Sequence, residues 1–214
     1  MRIQTIPYGE ALKLQKQALE KLISEEGEEV LFVMTHPPTI TIGRKGNPMN
    51  IKVPIHLLKE RGIEVFRVER GGDVTFHAPG QIVAYPIINL TRHKISPKEH
   101  VSNLEETMIK TLETFSIPAF RIQNFRGVFV KGNPPHKIGA VGVAISHGIS
   151  FHGLALNVSI NPSEFEVIIP CGLKDYPVAS MESYTYKSFQ IEEVADVLIS
   201  QFKGIYGNSL IIGP

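Results

Sequence analysis

The sequence has no tryptophan, one cysteine and no long apolar run. The last two features exclude a disulfide-stabilised fold and a membrane-spanning segment. A single cysteine among 214 residues cannot form an internal disulfide, so the fold does not depend on an oxidising compartment. The first residues lack the charged start and apolar stretch of a secretory signal, and no apolar run approaches membrane-spanning length. We therefore expect a cytoplasmic protein without a membrane partner.

Charge is nearly balanced, with a formal net charge of +1, but it is unevenly distributed. Residues 41–70 contain seven Lys and Arg against three Glu, and residues 161–200 contain seven acidic residues against two lysines. Residues 121–140 contain four basic residues and no acidic one. These basic segments are not interleaved with stacking aromatics, which argues against nucleic acid as a partner. An ordinary solvated surface and a docking face for an acidic protein both remain open.

Two nucleotide signatures, G-x-G-x-x-G and G-x-x-x-x-G-K-[ST], are absent from the sequence. The histidines also lack the H-E-x-x-H or paired Cys/His spacing of a zinc site, so we expect no metal. A cysteine protease would need a Cys-His pair, which His77 or His152 would have to supply.

The order of apolar patterns predicts the fold class. Helical spacing predicts helices over residues 9–26, 54–61, 96–115 and 191–206, the third with an S-x-x-E capping box at Ser96. Short apolar or alternating runs predict strands over residues 29–34, 39–42, 63–69, 74–77, 81–88, 119–123, 127–131, 137–146 and 149–159. We expect an α+β fold, with a mixed and largely antiparallel sheet flanked by helices, as one domain over residues 1–214. Residues 74–77 and 81–88 should form a hairpin around Ala78-Pro79-Gly80.

The lone cysteine, Cys171, lies between Pro170 and Gly172 at the end of an apolar run. A single cysteine is more often a small buried hydrophobe than a nucleophile. Here the flanking glycine leaves backbone amides uncovered, and a nearby cation would favour the thiolate. Lys137, which opens a strand of small residues, is either such a cation or a side chain that extends its amine to solvent at a strand end.

Three stretches occur in one order along the chain: RGGDVTFHAPGQ, KIGAVGVAISHGISFHGLALNV and PCG. Together with HPPTITIGR they resemble the lipoyl(octanoyl) transferases, over most of the chain, from about residue 28 to residue 181. Proteins of this family move an octanoyl group from acyl carrier protein to a lysine of lipoyl domains. The resemblance implies a fold similar to the catalytic domain of biotin and lipoate ligases.

The resemblance also implies roles for residues. Cys171 would be the acyl-thioester nucleophile, and Lys137 would lower its pKa. The acyl group would be bound by three segments: Arg70, Gly71, Gly72, Asp73, Val74, Thr75, Phe76 and His77; Ala140, Val141 and Gly142; and Gly153, Leu154 and Ala155. The implied partners are octanoyl-acyl carrier protein and, as acceptors, the lipoyl domains of 2-oxoacid dehydrogenase complexes and the glycine cleavage H protein. No cofactor is implied.

The chain departs from the family pattern at two places. Ala78 stands where a glycine is usual, and Ala179-Ser180 where a threonine-serine pair is common. Two other functions remain open: an ATP-dependent lipoate or biotin protein ligase of the same fold, and a catalytically silent module that binds carrier proteins.

Overall fold

The computed structural model describes residues 2–172 and 175–213, without the side chain of Cys171. The helices are α1 (Tyr8–Ile23), α2 (Ile55–Glu60), α3 (Pro97–Thr114), α4 (Met181–Thr185) and α5 (Ile191–Tyr206). The strands are β1 (Val30–Met34), β2 (Thr39–Ile42), β3 (Glu64–Arg67), β4 (Val74–His77), β5 (Gln81–Asn89), β6 (Ala119–Phe120), β7 (Val128–Val130), β8 (His136–Ser146), β9 (Ile149–Asn157) and β10 (Ile211–Gly213). Short 3₁₀ helices span Pro48–Asn50, Pro162–Val167 and Pro170–Gly172.

The strands form two sheets. The larger sheet has the order β10-β1-β5-β9-β8-β7-β6, and every neighbouring pair is antiparallel except β1 with β10. The smaller sheet has the order β3-β2-β4, with β2 parallel to β3 and antiparallel to β4. The expected α+β class, with a mixed and largely antiparallel sheet, is confirmed.

Helices cover both faces of the larger sheet. Leu31 and Val33 of β1 belong to a core cluster that contains the apolar stripes of α3 and α5. Phe32 and Met34 of the same strand point the other way, into a cluster with α1. Because successive side chains of a strand alternate between faces, a strand covered on both sides must be apolar throughout, as β1 is. Among the described residues, each helix is too short or too polar to pass through a bilayer.

The predicted hairpin of β4 and β5 is wrong. β4 pairs with β2 in the smaller sheet, whereas β5 pairs with β1 and β9 in the larger one. Gly80, at φ +86°, turns the chain away, and its carbonyl accepts hydrogen bonds from the N–H groups of Val158, Ser159 and Ile160. The turn after β4 is therefore fixed by a distant segment, and it connects two sheets instead of two paired strands.

The predicted capping box of α3 is confirmed. Glu99 N–H donates to Ser96 Oγ at 3.2 Å, and Ser96 N–H donates to Glu99 Oε2 at 2.7 Å. Two elements were not predicted from the sequence: α4, which follows Ser180 as its cap, and β10, which pairs in parallel with β1. Neither has a periodic pattern long enough to recognise.

Candidate functional site

A cavity of about 470 Å³ lies where the two sheets meet. Strands β4, β5, β8 and β9 line it, together with the segment before β4, one residue each of α1 and α3, Lys45, and residues 124–126. The predicted acyl-binding residues in its wall are Arg70, Gly71, Gly72, Asp73, Thr75, His77, Ala140, Val141, Gly142, Gly153, Leu154 and Ala155. Lys137 also lines this cavity. The fold thus brings together segments that are far apart in the sequence.

Val74 and Phe76 are the two predicted acyl-binding residues outside the cavity wall. Both are buried in a third core cluster, which packs around β2, β4 and α2. Thr75 and His77, on the opposite face of β4, line the cavity. The alternation of a strand therefore gives this segment two functions, since one face stabilises the smaller sheet and the other faces the cavity.

Small residues on β8 and β9 form one wall. Ala140 pairs with Ala155 and Gly142 with Gly153 across the two strands. A Cβ atom at Gly142 would lie 3.1 Å from the carbonyl oxygen of Gly71, whose own N–H donates to Val143 O at 2.8 Å. The absence of side chains thus lets the segment before β4 approach the exposed edge of β8.

Arg70 places a fixed positive charge in the wall. Its guanidinium group donates to Thr41 Oγ1 at 3.1 and 2.9 Å, to Thr41 O at 2.7 Å and to Gly71 O at 3.0 Å. Burial lowers the pKa values of His77 and His152, and the charge of Arg70 lowers them further. Arg70 thus positions the segment before β4 and disfavours protonation of these two buried histidines.

His77 lies in a buried hydrogen-bond network. Its Nδ1 is 2.7 Å from Gln81 Oε1, while Gln81 Nε2 donates to Asn157 Oδ1 at 2.8 Å and to Phe76 O at 3.3 Å. Asn157 Nδ2 in turn donates to Ala179 O at 2.9 Å. Since backbone carbonyls only accept, both amides are fixed in orientation, and His77 Nδ1 must carry the proton. Burial lowers the pKa of His77 to about 3, so the ring is neutral at pH 7.

Lys137 is held at the start of β8 by backbone and side-chain bonds. Its N–H donates to Pro177 O at 2.7 Å, and its carbonyl accepts from Ala179 N–H at 2.9 Å. Ala179 O accepts the hydrogen bond from Asn157 Nδ2, so the hydrogen-bond network of His77 reaches the backbone of Lys137. The amine Nζ donates to Arg126 O at 2.9 Å and lies 5.8 Å from the centre of the Phe129 ring. With only 6 % of the residue exposed, the amine is confined to the cavity wall.

The turn that carries Cys171 is anchored to the loop before α2. Ile169 N–H donates to Asn50 O at 2.7 Å, and Gly172 N–H donates to Ile169 O at 3.1 Å. The Asn50 side chain donates to Asp73 Oδ2, which a Cβ atom at Gly172 would approach to 3.1 Å. Asp73 therefore links the segment before β4 to the backbone of the cysteine turn.

Pro170, the residue before Cys171, lines a small adjoining cavity together with Lys137 and Thr75. The backbone of the turn and the lysine therefore lie beside the same space. The Cys171 side chain lies outside the described part of the chain, so the approach of its sulfur to the Lys137 amine stays a prediction.

Several wall residues were not singled out from the sequence as acyl-binding: Tyr8, Lys45, Val83, Tyr85, Val101, Asn124, Phe125, Arg126, Val143 and His152. Val83 and Tyr85 lie two and four residues after Gln81 in a predicted strand, so alternation places them on the same face as Gln81. The sequence gives no other signal for them. For Tyr8 and Val101 the sequence gives no signal, since they lie on helices whose packing decides what they face.

Comparison with known proteins decides the family. Residues 7–203 match the sequence family described as the lipoyl protein ligase A/B catalytic domain. The chain belongs to this family. A relative from Alkaliphilus metalliredigens named octanoyltransferase is 40 % identical over 205 residues, which cover 95 % of this chain and 93 % of the relative. Another of that name, from Desulforamulus reducens, is 38 % identical over 206 residues, which cover 96 % of this chain and 89 % of the relative.

Two solved structures of lipoate protein ligases share the fold. A bipartite lipoate protein ligase from Thermoplasma acidophilum superposes with a TM-score of 0.71 at 16 % identity, over 99 % of this chain and 86 % of the other. A lipoate-protein ligase A bound with ATP gives 0.71 at 15 % identity, over 99 % and 87 %. The expected likeness to lipoate ligases is thus confirmed for the fold.

Proposed function

We propose that this protein transfers an octanoyl group from octanoyl-acyl carrier protein to a lysine of a lipoyl domain, through a thioester on Cys171. One observation carries the proposal. A largely apolar cavity, a fixed lysine and the backbone of the only cysteine's turn lie together, in a chain whose relatives are named octanoyltransferases. The acceptors would be lipoyl domains of 2-oxoacid dehydrogenase complexes and the glycine cleavage H protein.

The chemistry has two steps. The Cys171 thiolate attacks the donor thioester, its new C–S bond replaces the C–S bond to the carrier, and the carrier thiolate takes the proton that the cysteine lost. The acceptor amine then attacks the acyl carbon, a C–N bond forms, and the cysteine leaves as thiolate. The first step exchanges thioesters of similar energy and the second forms a stable amide, so no ATP is needed.

Lys137 would serve both steps. A positive charge beside the sulfur favours the thiolate, and the same amine, once neutral, accepts the proton that the attacking amine releases. The hydrogen bond to Arg126 O and the backbone bonds to Pro177 and Ala179 support this role because they restrict the amine to one region of the wall.

The mouth of the cavity supports an acidic donor protein. Lys45 and Arg126 both line the cavity and are exposed to solvent. Exposed cations at an entrance accelerate the approach of an anionic carrier, and salt weakens this effect. Replacing both by glutamine should therefore reduce kcat/KM for the carrier more at low salt than at high salt.

Intact-mass measurement after mixing with octanoyl-acyl carrier protein tests the proposal directly. The wild type should gain one octanoyl group, and Cys171→Ala should gain none and transfer none to a lipoyl domain. Lys137→Ala and Lys137→Arg should lower the transfer rate by a factor of at least about 100, as expected for a lost proton-transfer group. Lys110→Ala, at an exposed position on α3, controls for the loss of a lysine elsewhere. Transfer by Cys171→Ala at the wild-type rate would refute the mechanism.

A ligase function is the second candidate, because the fold is shared with a lipoate-protein ligase bound with ATP. A ligase would activate the free acid and would not need Cys171. Transfer from free octanoate that depends on ATP would favour the ligase, whereas transfer from the carrier without ATP would exclude it.

A further inference from the structure

His152 has an unusual backbone conformation in the middle of a central strand. Its φ is +57°, in the left-handed region that few residues other than glycine adopt, although β9 pairs with β5 on one side and β8 on the other. The regular pairing of β9 with β5 stops at Leu154 and resumes at Ser150. In its place His152 N–H donates to Gln15 Oε1 of α1 at 2.9 Å. Strain of this kind persists where it positions a functional side chain.

Within the described part of the chain, no group lies at hydrogen-bond distance from either nitrogen of the His152 ring or from Gln15 Nε2, and His152 is 1 % exposed. Glu69 Oε2 lies 3.8 Å from His152 Nε2, which is longer than a hydrogen bond. Burial, with the charge of Arg70 next in size, lowers the pKa of His152 to about 4, so at pH 7 the ring offers one N–H donor and one lone pair.

The ring lies in the cavity wall, away from Lys137. His152 pairs with Val143 on β8. Val143 is six residues beyond Lys137, a distance of about 20 Å along an extended strand. His152 therefore lies further along β8 than Lys137, at a distance from the proposed reaction centre. An acyl chain that starts beside Lys137 and follows β8 leads towards His152.

We propose that His152 forms a polar subsite in the wall of the acyl cavity, away from Lys137, which binds the hydroxyl group of an ω-hydroxyacyl chain. This inference rests on the proposed acyl transfer. A hydroxyl can donate to the lone pair of one ring nitrogen or accept from the N–H of the other, so it can bond whichever nitrogen faces the cavity. A water molecule has the same chemistry, so the subsite holds water when the bound chain ends in a methyl group, and the hydroxyl of a substrate displaces it.

The test compares thioester donors in pairs of equal length, one ending in a methyl group and one in a hydroxyl, over chains shorter and longer than octanoyl. The measured quantity is the ratio of kcat/KM for the hydroxylated donor to that for the plain donor. In an apolar pocket the hydroxyl should lower this ratio about ten-fold or more. When the acyl chain is long enough for its hydroxyl to reach His152, the ratio measured for the wild type should regain that loss.

Two variants are compatible with the left-handed backbone: His152→Gly removes the ring, and His152→Asn keeps a hydrogen-bonding side chain. His152→Gly should abolish the recovery, whereas His152→Asn should keep part of it. The inference would be overturned if the wild type and His152→Gly gave identical ratios at every chain length. It would also be overturned if the ratio for the wild type recovered at no chain length. Calorimetric binding of the free ω-hydroxy and plain acids repeats the comparison without turnover. If the free ω-hydroxy acid still binds in preference to the plain acid, but no donor supports acyl transfer, only the proposed function is rejected.

Discussion

Acidification to pH 5.5 should destabilise the fold through its buried histidines. Burial is the largest cause that lowers the pKa values of His36, His100 and His152 to about 4 and that of His77 to about 3, from an ordinary value of 6.5. Below pH 6.5 the unfolded chain takes up protons that the folded chain does not, so stability is lost as the pH falls. At pH 5.5 a shift from 6.5 to about 4 costs about 1.4 kcal/mol per histidine, and the four together cost on the order of 5 kcal/mol.

Guanidinium unfolding followed by far-UV circular dichroism, at pH 7.5 and at steps down to 5.5, measures this loss. His100→Gln isolates one contribution, because His100 lies on α3 outside the cavity, and a glutamine amide can still bond Tyr206 OH, which is 2.8 Å from Nδ1. The variant should lose about 1.4 kcal/mol less than the wild type between the two pH values. His56→Gln, at an exposed position on α2, controls for the removal of a histidine as such. A wild-type stability independent of pH over this range would refute the reasoning, and so would a His100→Gln curve parallel to that of the wild type.

Two further substitutions test the site. Gly153→Ala should destabilise the protein by more than about 2 kcal/mol, because the added Cβ atom would lie 2.1 Å from Ala84 O. Guanidinium unfolding measures this loss, and near-normal stability of the variant would contradict the close approach. Asn157→Leu should lower the free energy of unfolding by about 1–3 kcal/mol and slow acyl transfer, because Gln81 Nε2 and Ala179 O lose their buried partner. An unchanged transfer rate in the folded variant would show that the network does not position Lys137.

The local elements were largely predictable because their causes are local. The capping box at Ser96 and the apolar stripe of α3 are readable within one segment, and the structure has both. The apolar run of β1 predicted a strand for the same reason. The strand partners were not predictable in this way. The β4–β5 hairpin failed because Gly80 O bonds to residues 158–160, a contact that no local pattern signals.

For the site, the motifs can be read from the sequence, and so can the strand alternation that places Thr75 and His77 on one face of β4. Folding was needed to show that Lys137 and the Pro170–Gly172 turn border one space, and that Tyr8 and His152 complete the wall. Periodicity fixes the face on which a side chain lies, but what that face meets depends on contacts between segments that are far apart in the sequence. The bond from His152 N–H to Gln15 is such a contact, and it holds a strand residue in a conformation that sequence pattern does not reveal.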